Sequence, residues 1–282
     1  MILQDVIFQA SKTLKNNSIN SHELDAQLLL SNIMNIPKDS LIINDQMFIS
    51  KEIRKKLDQL ISRRIKKEPI AYIIGKKEFW NDNFLINYST LVPRPETELL
   101  IYKIIDFFRN KKINILDIGT GSGCILLSIL KELNHSKGIG IDISPKAIKV
   151  AKTNSNRLNL SHRSKFKVFD LKKYNLGKYD LIVSNPPYIC SKDIKNLSKD
   201  IINYEPKIAL DGGVNGLDLI KKVIYKSNYL LKKNGLLALE IGYKQYQKVS
   251  DILRYYKFKE MGREYDNNHN VRCIISTKLG VF

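Results

Sequence analysis

The sequence predicts an α/β fold, a mostly parallel sheet with helices on both faces, preceded by a small helical domain. Three observations carry this expectation. From Asn114 onward short apolar strands alternate with helical stretches, the first of those strands runs into a glycine-rich turn, and residues 1–72 show helical periodicity.

Ile2, Leu3, Val6, Ile7, Ala10 and Leu14 recur at helical spacing. Asn20, with Glu23 three residues on, caps a second helix carrying Leu24, Leu28 and Ile33. Ser50 caps the next, whose apolar stripe is Ile53, Leu57, Leu60, Ile61 and Ile65. Arg54, Lys55, Arg63, Arg64, Lys66 and Lys67 fall mostly off that stripe. They form a basic face that is either a solvated surface or a steering element for an acidic partner.

At Pro69 the pattern becomes extended. "EFWNDNFLIN" reads as a hairpin, with Phe79 and Trp80 against Phe84 and Leu85 across an Asn81-Asp82 turn. This divides the chain into a helical domain over 1–72, a hairpin linker over 73–92 and an α/β domain over 93–282. In "LVPRPETELL", Pro95 suits a first helical turn, Glu96 and Glu98 suit its positive end, and Leu99, Leu100, Ile104 and Phe107 supply the stripe. Then come NILDI, a helix from about Ser122, GIGID, a helix from Pro145, KFKVF and DLIVS.

With 282 residues, 43% of them hydrophobic, the chain can bury a sizeable core. Its formal net charge of +19 fits either an anionic partner such as nucleic acid or the lysine-rich coding of an AT-rich genome. The start lacks the pattern of a signal peptide, and no apolar run approaches the roughly 18 residues of a membrane span, so a cytoplasmic protein is expected. Cys124, Cys190 and Cys273 stand far apart with no CxxC pair. They read as buried small hydrophobes, with no metal site.

The turn "DIGTGSG" spans Asp117–Gly123, and the next strand ends in Asp142, 19 residues beyond Gly123. Glycines at a strand-to-helix turn admit a ligand close to the backbone, and an acid at that distance suits ribose hydroxyls. Gly119, Thr120, Gly121, Ser122, Gly123 and Asp142 are therefore the cofactor candidates. The spacing is G-x-G-x-G, not the G-x-G-x-x-G that wraps a pyrophosphate, and no Walker lysine follows. S-adenosyl-L-methionine fits better than NAD or ATP.

A later strand of the same sheet ends in Ser184-Asn185-Pro186-Pro187-Tyr188, where such folds place their ligand crevice. A planar amide or exocyclic amine is a poor nucleophile. Two acceptors must hold its N–H groups so that the nitrogen lone pair meets the methyl. The Asn185 side-chain oxygen and the Pro186 carbonyl are the candidates, and Tyr188 offers a ring to the flat substrate group. This clamp alone does not separate adenine from glutamine.

The chain resembles the PrmC/HemK family of glutamine methyltransferases. The resemblance rests on "ELDAQLLL", "EFWNDNFLI", "LVPRPETELL", "ILDIGTGSGCI", "DISPKAIKVAKTN", "IVSNPPYI", "YEPKIALDGGVNGL" and "LALEIG". It implies a Rossmann-like class I S-adenosylmethionine-dependent methyltransferase fold with a seven-stranded sheet. It also implies methylation of the glutamine in the Gly-Gly-Gln motif of class-I peptide chain release factors. A monomer is expected. Carried over by position, cofactor residues fall on Gly119 to Gly123, Asp142 and Asn185, and substrate contacts on Asn185, Pro186, Pro187 and Tyr188. Near the adenine the family often has an acid followed by an aromatic; here the pair is Asp170-Leu171, which can accept from the exocyclic amine and pack on the base. The long segment 189–216 reads as a lid or peptide-binding loop with Glu205 and Pro206 near the substrate, and Arg94 and Glu98 belong to the rim by analogy. The C-terminal "REYDNNHNVRCII" is given no function, and His269 reads as a surface loop residue. An amino-directed DNA or RNA methyltransferase, favoured by NPPY and the charge, and a non-catalytic basic binding protein are the rival classes.

Overall fold

A computed structural model describes residues 1–279. The chain forms two compact units, one made of 1–75 with 198–204, the other of 76–197 with 205 onward.

The first unit contains α1 (Leu3–Asn16), α2 (His22–Met34), α3 (Lys38–Ile43), α4 (Lys51–Ile65) and α5 (Ile70–Ile74) around Leu3, Leu14, Leu29, Leu30 and Leu57. Ser50 caps α4 as expected, its Oγ accepting from Ile53 N at 3.3 Å. Helix α2 starts one residue later than Asn20 would place it: Ser21 holds the cap position without a capping bond, and its hydroxyl donates to Asp25 at 2.9 Å. Asp25 is buried and receives Arg64 Nε at 2.7 Å. The basic face is thus partly internal. Arg63 is bidentate on Glu68 at 2.9 and 2.5 Å, and Lys67 Nζ holds the carbonyls of Asn17 and Ser18 at 2.9 and 2.8 Å.

The second unit opens with the hairpin β1 (Lys76–Phe79) and β2 (Asp82–Leu85). Phe79 pairs with Asp82, so the turn residues are Trp80 and Asn81 rather than Asn81 and Asp82. Both have positive φ, 49° and 64°, as a type I′ turn requires. A tryptophan in that conformation is unusual. Here Trp80 N donates to Glu98 Oε1 at 2.9 Å and its indole N–H to Glu132 Oε1 at 2.8 Å. The Phe79 and Phe84 rings meet edge to face at 6.1 Å within the unit's core, so the hairpin packs into the α/β body instead of standing apart as a linker.

There follow α6 (Glu98–Phe108), β3 (Asn114–Ile118), α7 (Cys124–Glu132), β4 (Lys137–Asp142), α8 (Pro145–Arg157), β5 (Ser164–Val168) and β6 (Tyr179–Ser184). After α9 (Lys199–Tyr204) come α10 (Asp218–Leu230), β7 (Leu231–Glu240), α11 (Tyr246–Tyr255), β8 (Phe258–Tyr265) and β9 (Val271–Lys278). The sheet runs β5-β4-β3-β6-β7-β9-β8, and among these strands β9 alone runs opposite to the others. Side-chain alternation builds a core on each face. Ile115, Leu181 and Val183 pack beneath α6, α7 and α8, whereas Leu116, Ile182, Leu237 and Leu239 pack beneath α10 and α11. Strand order reverses between β3 and β6. This topological switch brings the glycine-rich turn and the NPPY segment together at the carboxyl ends of adjacent strands.

Helix α7 begins at Cys124, not Ser122, because Gly123 precedes it with φ 81°. The segment 189–216 is built rather than open: a 3₁₀ turn over Ser191–Asn196, then α9, a second 3₁₀ turn over Lys207–Ala209, and a bridge pairing Ile189 with Asp211. Residues 198–204 group with the helical unit, where Tyr204 donates its hydroxyl to Lys66 O at 3.0 Å. Among the described residues no helix is long and apolar enough to cross a membrane.

Candidate active site

A cavity of about 780 Å³ opens at the switch point. Gly119, Thr120, Gly121 and Ser122 line it from the end of β3, Asp142 from β4, Asp170 and Leu171 from beyond β5, and Asn185 and Pro187 from beyond β6. Gly119 and Gly121 have φ of 72° and 55°, and a Cβ on either would stand in open space, so bare backbone faces the cavity. Gly123 departs from the expectation. It does not line the cavity, and a Cβ there would meet Phe166, Ala151 and Leu127 at 3.1 to 3.2 Å, so its missing side chain serves packing.

Four of the turn's N–H groups are already committed. Gly119 N and Thr120 N donate to Ile141 O at 2.9 and 3.0 Å, Gly121 N to Asp142 Oδ2 at 3.0 Å, and Gly123 N to Thr120 O at 2.8 Å. Such a turn does not cradle a phosphate, which needs several free N–H donors. It fits a nucleoside cofactor without phosphates, and S-adenosylmethionine is one. Asp142 Oδ1 also accepts Ser144 N at 2.9 Å, which fixes the carboxylate at the cavity wall. Behind the turn Asp117 is fully buried and takes Thr120 Oγ1 at 2.6 Å; burial, aided by the charge of Asp142, pushes its carboxyl up to about 7. Asn154 joins the hairpin to this turn, its Nδ2 donating to the carbonyls of Leu85 and Ser122, both at 2.9 Å.

Beyond β5, Asp170 Oδ1 accepts Lys172 N at 2.9 Å. An aromatic residue stands one position before Asp170 instead of after it. Phe169 lines the cavity and packs edge to face on Tyr174 at 5.1 Å.

On the β6 side, Ser184 is buried, donating to Ile118 O at 2.7 Å; it ties β6 to β3 and does not reach the cavity. Asn185 Nδ2 donates to Thr97 Oγ1 at 3.2 Å, so the free end of this amide is its carbonyl oxygen. Pro186 is buried between two lining residues and does not itself line the cavity; among the described residues its carbonyl accepts no hydrogen bond. Tyr188 does not line the cavity. Its hydroxyl donates to Glu240 Oε1 at 3.2 Å and accepts from Arg272 at 3.1 Å, the guanidinium lies 5.6 Å from the ring centre, and burial raises the phenol's pKa. The ring is therefore an anchor turned inward.

The rim is tied by Glu205, which binds Arg94 and accepts Val92 N at 3.2 Å. Glu205 is buried, and Arg94 and Pro206 line the cavity. Glu98, expected at the rim, instead holds the hairpin through Trp80. Cys124 and Cys273 are buried, while Cys190 is half-buried.

Thr97, Glu240 and Arg272 escaped the sequence reading. The one visible signal was a lone acid inside the apolar run "LLALEIG". Arg272 lay in a stretch with no pattern to interpret.

Residues 109–273 match the family model of a methyltransferase domain, and residues 5–75 that of the PrmC N-terminal domain. A solved methyltransferase from Pyrococcus furiosus shares the fold at a TM-score of 0.53, with 18% identity over 69% of this chain and 88% of that one. Fold and site together define a class I S-adenosylmethionine-dependent methyltransferase. The chain is 43% identical over 234 residues, 83% of its length and 84% of the relative's, to the release factor glutamine methyltransferase of Buchnera aphidicola subsp. Schizaphis graminum. It is 36% identical over 285 residues, the whole of both chains, to the protein of the same name from Clostridium acetobutylicum. It belongs to the PrmC/HemK family.

Proposed function

We propose that this protein methylates the side-chain amide nitrogen of the glutamine in the Gly-Gly-Gln motif of class-I peptide chain release factors. The observation that carries this reading is the fixed polarity of Asn185, whose nitrogen is held at 3.2 Å by Thr97. Its oxygen is then an acceptor at the cavity, beside the unbonded carbonyl of Pro186, and a primary amide presents two N–H groups to two such acceptors. The names carried by the full-length relatives support a glutamine over an adenine.

When bound, S-adenosylmethionine supplies a methyl group on a positively charged sulfur. Gly119, Thr120, Gly121 and Ser122 would leave room for it, Asp142 would accept from ribose hydroxyls, and Phe169, Asp170 and Leu171 would border the base. Asn185 Oδ1 and Pro186 O each take one N–H of the substrate amide, which holds the nitrogen with its lone pair, perpendicular to the amide plane, facing the methyl. Pro187 packs on the substrate, and proline at 186 removes an N–H that would compete for the same space. Alignment is the main contribution of the chain, since the methylated nitrogen becomes acidic and its proton passes to water. The helical unit orients the release factor.

Transfer of labelled methyl to a purified release factor tests the reading, with a factor whose Gly-Gly-Gln glutamine is replaced and an Asn185→Ala enzyme as controls. Label is expected only on the intact factor with the wild-type enzyme. Label on the replaced factor, or on nucleic acid alone, overturns it.

A further inference from the structure

The geometry points to Thr97 and Glu240 as positioning residues that decide which end of the Asn185 amide meets the substrate. This rests on the proposed role of Asn185 Oδ1 as an acceptor for the substrate amide.

An asparagine amide has a donating end and an accepting end of nearly equal size, and only the accepting end can hold a substrate N–H. Something must set its direction. The three groups concerned come from separate segments: Thr97 from the 3₁₀ turn Pro95–Thr97, Glu240 from the last position of β7, and Asn185 from just beyond β6. Thr97 and Glu240 are buried, with 2% and 0% of their surface exposed; Thr97 touches the cavity wall, and Glu240 lies behind it, where a lost partner leaves a buried polar group unpaired.

The direction follows from Glu240. Both of its oxygens accept, Oε2 from Thr97 and Oε1 from Tyr188; burial raises its pKa, while those two bonds and the charge of Arg272 favour the carboxylate, which only accepts. Its Oε2 lies 2.6 Å from Thr97 Oγ1, the length of a charge-assisted O–H···O⁻ bond, so the hydroxyl hydrogen points at Glu240. The lone pairs of Thr97 Oγ1 are left to receive, and they receive Asn185 Nδ2. Glu240 thereby fixes the amide through one intervening hydroxyl. Its other oxygen takes the Tyr188 hydroxyl at 3.2 Å, and Arg272 stands 4.0 Å from that oxygen while donating to Tyr188. One buried carboxylate thus sets the hydrogen-bond direction at both ends of the Asn185–Tyr188 segment. With Gln at 240, an N–H can donate to Thr97, the hydroxyl can turn to Asn185, and the amide is free to reverse.

Full-length Thr97→Val, Thr97→Ser and Glu240→Gln enzymes test this, with methyl transfer to a release factor, titration of S-adenosylmethionine and thermal unfolding measured on each. Val and Gln keep the shape of the side chains they replace. Both are expected to lower kcat by about 100-fold, the scale of a misaligned reacting group. KM for the release factor and affinity for the cofactor stay within about threefold. Thr97→Ser, which keeps the hydroxyl, restores kcat to within about threefold of wild type, and a purely structural role of Thr97 would not produce that split. A Thr97→Val enzyme as active as Thr97→Ser overturns the inference. Should Thr97→Val fail to fold, Glu240→Gln decides, and unchanged kcat there overturns it equally. A wild-type enzyme that transfers nothing to the release factor overturns the glutamine reading itself, a result separable from an active wild type with active variants.

Discussion

Gly216 approaches Tyr188 so closely that a Cβ built on it would stand 2.3 Å from the Tyr188 carbonyl oxygen. The same carbonyl accepts Gln245 Nε2 at 2.9 Å, and Gln245 holds Gly216 O at 3.0 Å. Gly216 also has φ of 68°, which a side chain tolerates poorly. Gly216→Ala should therefore displace the NPPY backbone. Expected is a loss of about 100-fold in kcat, with cofactor affinity nearly unchanged, in methyl-transfer and titration assays. Wild-type turnover would show that the NPPY backbone tolerates the shift.

Asp117 gives the fold a pH dependence whose sign is determined. Its carboxyl is raised from an ordinary 3.8 to about 7. The folded state holds the proton more tightly than the unfolded chain, so the stabilisation is complete below 3.8 and is lost as pH rises toward 7. The whole span is on the order of 4 kcal/mol. Asp117→Asn removes this slope. Urea unfolding between about pH 5 and 8 should show the variant gaining on wild type by about 2–3 kcal/mol, and parallel curves would refute the assignment.

Removing the Glu205 carboxylate leaves Val92 N without its acceptor and Arg94 without its ion pair. Glu205→Ala should cost about 3 kcal/mol of stability in chemical unfolding, the scale of breaking a buried pair. It should also reduce transfer, since Arg94 and Pro206 line the cavity on either side of it. Equal stability of variant and wild type would show that the rim is held elsewhere.

Asp142 accepts from both Gly121 N and Ser144 N at the cavity wall. Asp142→Ala is expected to weaken S-adenosylmethionine binding at least about tenfold by calorimetric titration, because hydrogen bonds to a charged group contribute about 1.5–3 kcal/mol each. Unchanged affinity would remove Asp142 from the cofactor site.

How much of this was legible beforehand depended on whether a residue acts through local pattern or through a distant partner. The strands NILDI, GIGID, KFKVF and DLIVS are apolar runs bounded by turn residues, and each lies within a residue or so of its place. The glycine turn and NPPY were readable because their side-chain types announce backbone geometry. The turn residues of the hairpin were misplaced by one, since an Asn-Asp pair is a better turn former than Trp-Asn on propensity alone. Glu98 and Glu132, far off in sequence, hold Trp80 in the rarer conformation. Arg64 read as part of a solvated face because nothing near it in sequence shows Asp25, 39 residues away, as its buried partner. Thr97, Glu240 and Arg272 were invisible for the same reason: their partners lie across the fold, at separations of 143 residues for Thr97 and Glu240 and 84 for Arg272 and Tyr188.

Because residues 198–204 belong to the helical unit while their neighbours on both sides do not, the chain passes between the units at 75/76, at 197/198 and at 204/205. The helical unit is therefore not a cassette that one junction could add or remove. A chimera that exchanges residues 1–75 between relatives leaves α9 behind in a foreign bundle, and an expressed fragment starting at 76 carries a stranded helix. Inheritance is bound by the same arrangement: changes in the early helices must be matched by changes in a segment encoded more than 120 codons downstream.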